Sequence, residues 1–505
     1  MSTPKRDTAA EQLSEFAKNH EESEDTITTT WGVPLPEKDA SLTVGYHGPI
    51  LLQDYNLIDE LAHFTRERIP ERVVHAKGAG AFGYFEVTHD ITRYTAAKVF
   101  SEVNKKTPIA VRFSQVAGEL GYPDTIRDIR GFAIKFYTED GIWDLVGNNA
   151  PIFFIKDCAL FPSFIHVVKR NPVTHMRPDY DMFWDMVTLR PETTHTCLMF
   201  FSDRGIPANY RQMHGYGTNT FAFVNAHGEF FYCKFHYRSE QGIATLPPKD
   251  AQRIAGEDPD FHTRDLYNAI EKGNYPSWKF YVQIMTPEQA ANNSYDPFDD
   301  TKVWLKADFP LIPVGRFVLN KNPKNYFAEI EQIGFDPAHL IPGIEPSPDR
   351  MLQGRLFAYG DTHRYRLGVN HLQLPVNSPF KANNFSRDGK GTLNNSAGAP
   401  NYHPNSFNGP KIDSRAKALS PVIPLKGDAK RIDSGDDDNF TQARLLYQRV
   451  MKEDERVRMV ENMVTWLKPT TTILQERAIV MFSNVDDDLG RRLRAGLDTI
   501  QQINL

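Results

Sequence analysis

Cysteine is scarce in this chain. Cys158, Cys197 and Cys233 are the three among 505 residues, far apart and without a CxxC pair. An odd, sparse count excludes a disulfide framework and suits a reducing compartment. Long apolar runs are missing as well. None approaches the roughly 20 residues of a membrane span, so no membrane partner is expected. The polar, charged N-terminal stretch shows no secretory signal. Neither sign of charge dominates: 58 Lys and Arg against 64 Asp and Glu leave a net charge of -6. Without a basic stripe, nucleic acid is not an expected partner either. HExxH and GxSxG are absent, which leaves zinc hydrolase and serine esterase readings without a foothold. There is no internal repeat.

Aromatic residues, by contrast, are plentiful, with 33 Phe and 20 Tyr. Two readings stand side by side: a Phe-rich core, or packing around a flat aromatic cofactor. The length suits either three ordinary domains or one large barrel with appendages. Residues 1–70 read as a polar arm carrying one helical stretch through Leu57–Phe64. From 71 to 320, short apolar runs alternate with Gly, Pro, Asn and Asp. The runs at 83–88, 108–114 and 131–137 are strand-sized, and 220–224 and 229–236 flank an Asn-Ala-His-Gly turn. That texture predicts an antiparallel barrel or sandwich, with helices inserted near 248–255 and 262–271. Residues 375–438 lack periodicity, and the sequence alone tilts them toward disorder. From Phe440 the spacing is helical until Pro469 breaks it, and a last amphipathic segment runs from 488 to 500.

Several constellations stand out, each with a plainer alternative. Gly78–Gly83 matches GxGxxG, but a strand-like YFEVT follows where a dinucleotide site needs a helix. A tight strand of small residues is the better reading. His75 follows Arg66, Arg68 and Arg72, which is either an anion cradle or a satisfied core histidine beside a solvated face. Arg112 and Ser114 are two apart on a strand and share a face. An Arg buried there needs an anion, and a ligand carboxylate and a structural one are equally open. Asn148 precedes Asn149, Ala150 and Pro151, which is a turn signal or an amide aimed into a pocket. Arg355 and Tyr359 are one helical turn apart. A guanidinium favours the anionic form of a neighbouring phenol, and a phenolate is a hard donor suited to ferric iron. A surface Arg–Tyr stack is the plainer alternative.

Residues 64–90 (FTRERIPERVVHAKGAGAFGYFEVTHD) and 355–368 (RLFAYGDTHRYRLG) closely resemble the two hallmark segments of monofunctional haem catalases of the small-subunit type. The likeness runs over about residues 25–500. It implies an α+β fold: an N-terminal arm (1–70), an eight-stranded antiparallel β-barrel that binds haem (71–320), a wrapping segment carrying the proximal helix (321–438) and a C-terminal helical domain (439–505). It implies haem b ligated through Tyr359, with Arg355 keeping the ligand as tyrosinate. His75 matches the acid–base residue, Asn148 its partner, and Ser114 the group that orients the imidazole. Arg72, Arg112 and Arg366 match propionate-binding arginines, and Val74, Phe153 and Phe161 match residues packing on the distal side.

The implied reaction turns hydrogen peroxide into water and oxygen through a ferryl intermediate, in a homotetramer with interlocking arms. NADPH binding is left open by the resemblance. His195, Ser202, Arg204, Tyr216, Trp304 and Gln442 match that family site, whereas Met199, His214, Arg238, Lys306 and Leu446 change residue type, though Arg238 and Lys306 keep cations for phosphate. Gly360, Tyr365 and Asn219 stand where the family usually has Pro, His and His. The terminal Ile-Asn-Leu is loosely like a peroxisomal address, with the cytoplasm as the alternative. Two competing readings are a haem enzyme of this fold acting on organic hydroperoxides, and an interaction protein without haem.

Overall fold

The structure is a computed structural model and describes residues 7–421, 427–433 and 437–501, with the side chains of the last three left aside. The terminal Ile-Asn-Leu lies outside the described residues. The chain divides into two compact units, Met1–Arg72 and Val73–Leu505. The first contains helix Tyr55–Phe64, whose N-cap Asp54 accepts from the Leu57 amide and, across the unit, from the Leu42 amide. It also holds a helix at Gln12–Asn19 that the sequence reading passed over.

In the second unit ten strands make one antiparallel sheet. They are β1 (Gly78–Val87), β2 (Lys106–Gln115), β3 (Arg130–Thr138), β4 (Gly141–Asn148), β5 (Gly215–Tyr216), β6 (Phe221–Val224), β7 (Phe230–Ser239), β8 (Ser277–Met285), β9 (Ile312–Lys321) and β10 (Ile344–Pro346). The order β5-β4-β3-β2-β1-β9-β8, together with pairings of β7 to both β5 and β8, closes an eight-stranded barrel. β6 continues the line of β5 along β7, with Tyr216 opposite His236 and Phe221 opposite Cys233. The line is interrupted at 217–220, where Thr218 sits at φ 61°. A β-branched residue is strained in that left-handed region.

The glycine-rich GAGAFG segment is the start of β1, so the dinucleotide fingerprint is excluded by its context. The expected hairpin is present, with Gly228 at φ 78° closing its turn. The phenylalanines answer the compositional question in favour of the core. Phe85, Phe132, Phe136, Trp143, Trp278, Phe280 and Phe317 fill the barrel interior, with Phe136 stacked on Trp143 at 4.3 Å and Trp278 on Phe317 at 5.2 Å.

A second core joins helices Phe161–Val168, Tyr180–Leu189 and Thr194–Phe201, inserted between β4 and β5, to the C-terminal helices Glu453–Leu467, Thr472–Ser483 and Asp487–Gln501. Thr472–Ser483 escaped the sequence reading. Its apolar residues are spread around the helix, Leu474 and Phe482 buried and Ile473 and Val480 exposed, so no stripe marks it. Residues 375–421 carry little regular structure, yet they are not detached. Arg415 donates to the Asp140 carboxylate and the Ala96 carbonyl, both at 2.7 Å. The tilt toward disorder is corrected there by tertiary hydrogen bonds that local periodicity cannot register.

Candidate active site

Phe113 and Phe132 point into the barrel, so their neighbours on β2 and β3 point outward. Two outward rows result from the strand register: Ser114–Gly131–Asn148, and beside it Arg112–Ala133–Val146. Ala133, Val146 and Asn148 are half-buried although the strands around them are buried. A recess with a floor of small side chains therefore lies on the outer face of β2–β4.

His75 enters this recess at φ 67°, a conformation few residues other than glycine adopt. Its backbone is held on both sides. The amide donates to the Val116 carbonyl at 3.0 Å, and the carbonyl accepts from Arg112 Nη1 at 2.8 Å. The imidazole Nδ1 is 2.9 Å from Ser114 Oγ. Gly131 makes the approach feasible, because a Cβ there would lie 2.4 Å from Ser114 Oγ and 2.6 Å from His75 Nδ1. Asn148 ends β4, and among the described residues its amide has no protein partner. Phe153 and Phe161 are parallel at 6.1 Å, and Val74 packs against the same cluster.

Opposite lies helix Arg350–Arg366, capped by Asp349, whose carboxylate accepts from the Leu352 amide at 2.9 Å. One turn apart on it, Arg355 Nη2 is 3.0 Å from the Tyr359 hydroxyl and donates also to the Val146 carbonyl on the recess floor at 3.0 Å. Arg355 Nη1 donates to Asn219 Oδ1. The surface-stack alternative for this pair gives way to a half-buried one. At the end of the helix, buried Arg366 contacts Glu331, at 3.1 Å to the carboxylate and 2.7 Å to the carbonyl. Burial, despite the attraction of Glu331 and helped by the repulsion of Arg112, pushes its pKa down to about 10.

For Arg112 the structural-carboxylate alternative is not met among the described residues. It donates to the carbonyls of His75 and Ala76, and its Nε is buried without a partner. Two buried guanidiniums within electrostatic reach, with Glu331 against one of them, leave a surplus of positive charge that suits an anionic group in the recess. Arg72 closes the other unit, Met1–Arg72.

The second candidate set lies elsewhere on the barrel. Arg238 stacks over Tyr216 at 5.5 Å, and Tyr216 and Trp304 line a small surface cleft with Lys234 and His236. Burial, then the charges of Arg238, Arg204 and Lys306, push the pKa of His214 down to about 3, so a cationic cluster surrounds a neutral ring. Other members are engaged. His195 is buried, its pKa lowered to about 4 by burial, with Nδ1 3.2 Å from the Thr301 carbonyl. Ser202 donates to the Met199 carbonyl at 2.7 Å, Trp304 Nε1 to the Pro297 carbonyl at 3.1 Å, and Gln442 is bonded to both backbone groups of Val303.

Sequence reasoning missed Gly131, Glu331, Asp349 and Asp300. Asp349 was findable, since Ser-Pro-Asp before a helical run is an N-cap signal. The others carry no local signal.

The family model described as "Catalase" matches residues 28–409, and one described as "Catalase-related immune-responsive" matches 433–497. A curated catalase of Drosophila melanogaster is 58% identical over 497 residues, covering 98% of each chain, and one of Mus musculus is 57% identical, covering 98% of this chain and 94% of its own. Among solved structures, a fungal catalase has a TM-score of 0.90 at 45% identity, with 94% of this chain and 96% of that one covered. Catalase A from Saccharomyces cerevisiae has 0.90 at 44%, with 94% and 99% covered.

Proposed function

The chain belongs to the catalase family and decomposes hydrogen peroxide, and from that premise we propose that it does so on haem b bound in the β2–β4 recess. The observation that carries this reading is the pairing of a Ser114-anchored imidazole on one side with an Arg355-bonded phenol on the other. The fit is supported by the small-residue floor and by the surplus positive charge of Arg112 and Arg366, which suits propionates. Tyr359 supplies the iron ligand, and Arg355 favours its phenolate by charge and hydrogen bond. Bound haem would supply an iron centre that accepts the two oxidising equivalents of one peroxide and delivers them to a second.

The protein's own work is proton movement and exclusion of water. His75 takes a proton from the first peroxide and returns it to the oxygen that departs as water. With Nδ1 engaged by Ser114, Nε2 is the nitrogen that exchanges the proton. The Asn148 amide has its hydrogen bonds free to stabilise charge developing on peroxide. Val74, Phe153 and Phe161 line the approach with apolar surface and favour a small substrate over a bulky organic hydroperoxide. In His75→Ala, haem absorbance is expected to stay while oxygen release falls by about 10² or more, the scale of general acid–base catalysis. Unchanged turnover with haem bound defeats the assignment.

NADPH is assigned to the Tyr216–Trp304 cleft on the strength of the Arg204–Arg238–Lys306 cluster, which suits phosphates. Fluorescence titration of NADPH against the wild type and Arg238→Glu tests it. A homotetramer is supported by Phe357, Tyr365, Phe380 and Phe407, each at least 70% exposed and in need of cover; light scattering tests it. Delivery to peroxisomes is proposed as well, and localisation of the tagged protein with and without its last three residues tests that.

A further inference from the structure

Asn219 occupies the strained break between β5 and β6, next to Thr218. Its amide meets three ionisable side chains. Nδ2 donates to Asp300 Oδ2 at 2.6 Å and to Asp349 Oδ2 at 3.0 Å, while Oδ1 accepts from Arg355. Asn219 and Asp349 have no exposed surface and Asp300 has 1%. The amide orientation follows from these neighbours. Turned over, it would set a carbonyl against two carboxyl groups and an NH2 against a guanidinium.

The two carboxyl groups differ. Asp349 caps the helix of Tyr359 and accepts from the amides of Leu352 and Thr220 as well as from Asn219. Asp300 Oδ1, by contrast, is buried without a donor among the described residues; Asn219 donates to its Oδ2, and Asp349 is its hydrogen-bonding carboxyl neighbour. Burial and the adjacent Asp349 push the Asp300 carboxyl well above the usual range, against the pull of Lys234 and Arg355. A neutral acid at this place adds an acceptor for the second Asn219 N–H without adding a charge.

We propose that Asp300 is a positioning residue for Arg355 and Tyr359, acting through Asn219. It holds the second N–H of the amide, which turns Oδ1 toward Arg355 and keeps the guanidinium on the phenol. The inference rests on Tyr359 being the iron ligand. The loop bearing Asp300 also reaches the other side of the recess, since its carbonyl accepts from the Phe153 amide at 2.8 Å.

The test uses the purified holoenzyme and two readouts, peroxide turnover and the reduction potential of the bound iron. Asp300→Leu strands a buried N–H, which is worth about tenfold. Turnover is expected to fall about tenfold and the potential to rise by about 59 mV, the one-electron equivalent of tenfold, as the phenolate loses its fixed guanidinium. Asp300→Asn keeps an acceptor oxygen and is expected to restore both. A histidine at 219 has one N–H to give and serves Asp349 alone, so Asn219→His is expected to be improved in both readouts and in Tm by adding Asp300→Leu. Asp300→Leu equal to wild type, or Asp300→Asn equal to a defective Asp300→Leu, overturns the proposal. Should Asp300→Leu not fold, the order of Asn219→His and its double variant decides, and a less stable double variant overturns it. If Tyr359→Phe leaves the haem spectrum unaltered, the ligand assignment beneath fails instead.

Discussion

His75 shows how a reactive side chain is fixed by neighbours with no chemistry of their own. Its left-handed backbone is stabilised by Val116 and Arg112, and its ring by Ser114, so strain at one residue is offset by three hydrogen bonds. Gly131 is the permissive element. Gly131→Ala forces Cβ against the Ser114 hydroxyl and the His75 ring, and is expected to destabilise the fold by about 1–3 kcal/mol. It is also expected to lower peroxide turnover more than Ser114→Ala, because it displaces the imidazole while Ser114→Ala only frees it. Thermal denaturation and oxygen release measure the two effects. Wild-type values of both in Gly131→Ala would refute this account of the glycine. Among single residues, the sequence exposed His75, Ser114, Arg355 and Tyr359 through spacing and resemblance. It could not expose Gly131 or Asp300, whose importance is a distance across strands or loops.

At the scale of an element, helix Arg350–Arg366 sets both the phenol and its guanidinium on one face and binds the recess floor through Val146. Gly360, where the family usually has proline, sits in the middle of this helix with helical backbone. Glycine there costs about 0.5–1 kcal/mol relative to alanine. The nearest atoms to a Cβ there are Arg364 Nη1, at the end of a long side chain, and the buried Asp336 Oδ2, each at 3.2 Å, so the neighbours need to give by a few tenths of an ångström. Gly360→Ala is therefore expected to raise stability by about 0.5–1 kcal/mol with turnover retained, seen as a higher Tm. A lower Tm would show that those two contacts cannot yield. The helix was implied by the resemblance; the Arg355–Tyr359 spacing by itself says only that the two share a face if a helix is there. Thr472–Ser483 was not legible, because apolar Ile473 and Val480 on its exposed face blur the stripe.

Over the whole molecule, burial of neutral histidines couples stability to pH. His236 bonds Gln283 Oε1 through Nε2 at 2.7 Å, and its Nδ1 is buried without a partner. Burial, reinforced by Arg238, Lys306 and Lys234, pushes its pKa down to about 3. In the unfolded chain the ring titrates near the ordinary value of about 6.5. Below about pH 6.5 the unfolded ring thus takes up a proton that the folded ring refuses, and stability declines as pH falls toward about 3. One such group contributes about 1.4 kcal/mol per pH unit within that window. Lowering the pH from about 7 to about 5 is expected to reduce the Tm of wild type more than that of His236→Gln. Equal losses would show that the buried ring plays no part in acid sensitivity.

The sequence by itself marked β1, β2, β3, the β6–β7 hairpin and the amphipathic tail helices, because each depends on periodicity and turn residues within a few positions. Its long motifs also determined the family. Tertiary structure decided where the Phe-rich composition went, since either a core or a cofactor pocket satisfies the same count. It decided that Arg112 bonds two carbonyls, that residues 375–421 are bound to the barrel, and that Asp300 and Asp349 meet at Asn219. Each of these depends on residues far apart in the chain that come within hydrogen-bond distance only once the barrel closes, and no local pattern encodes that distance.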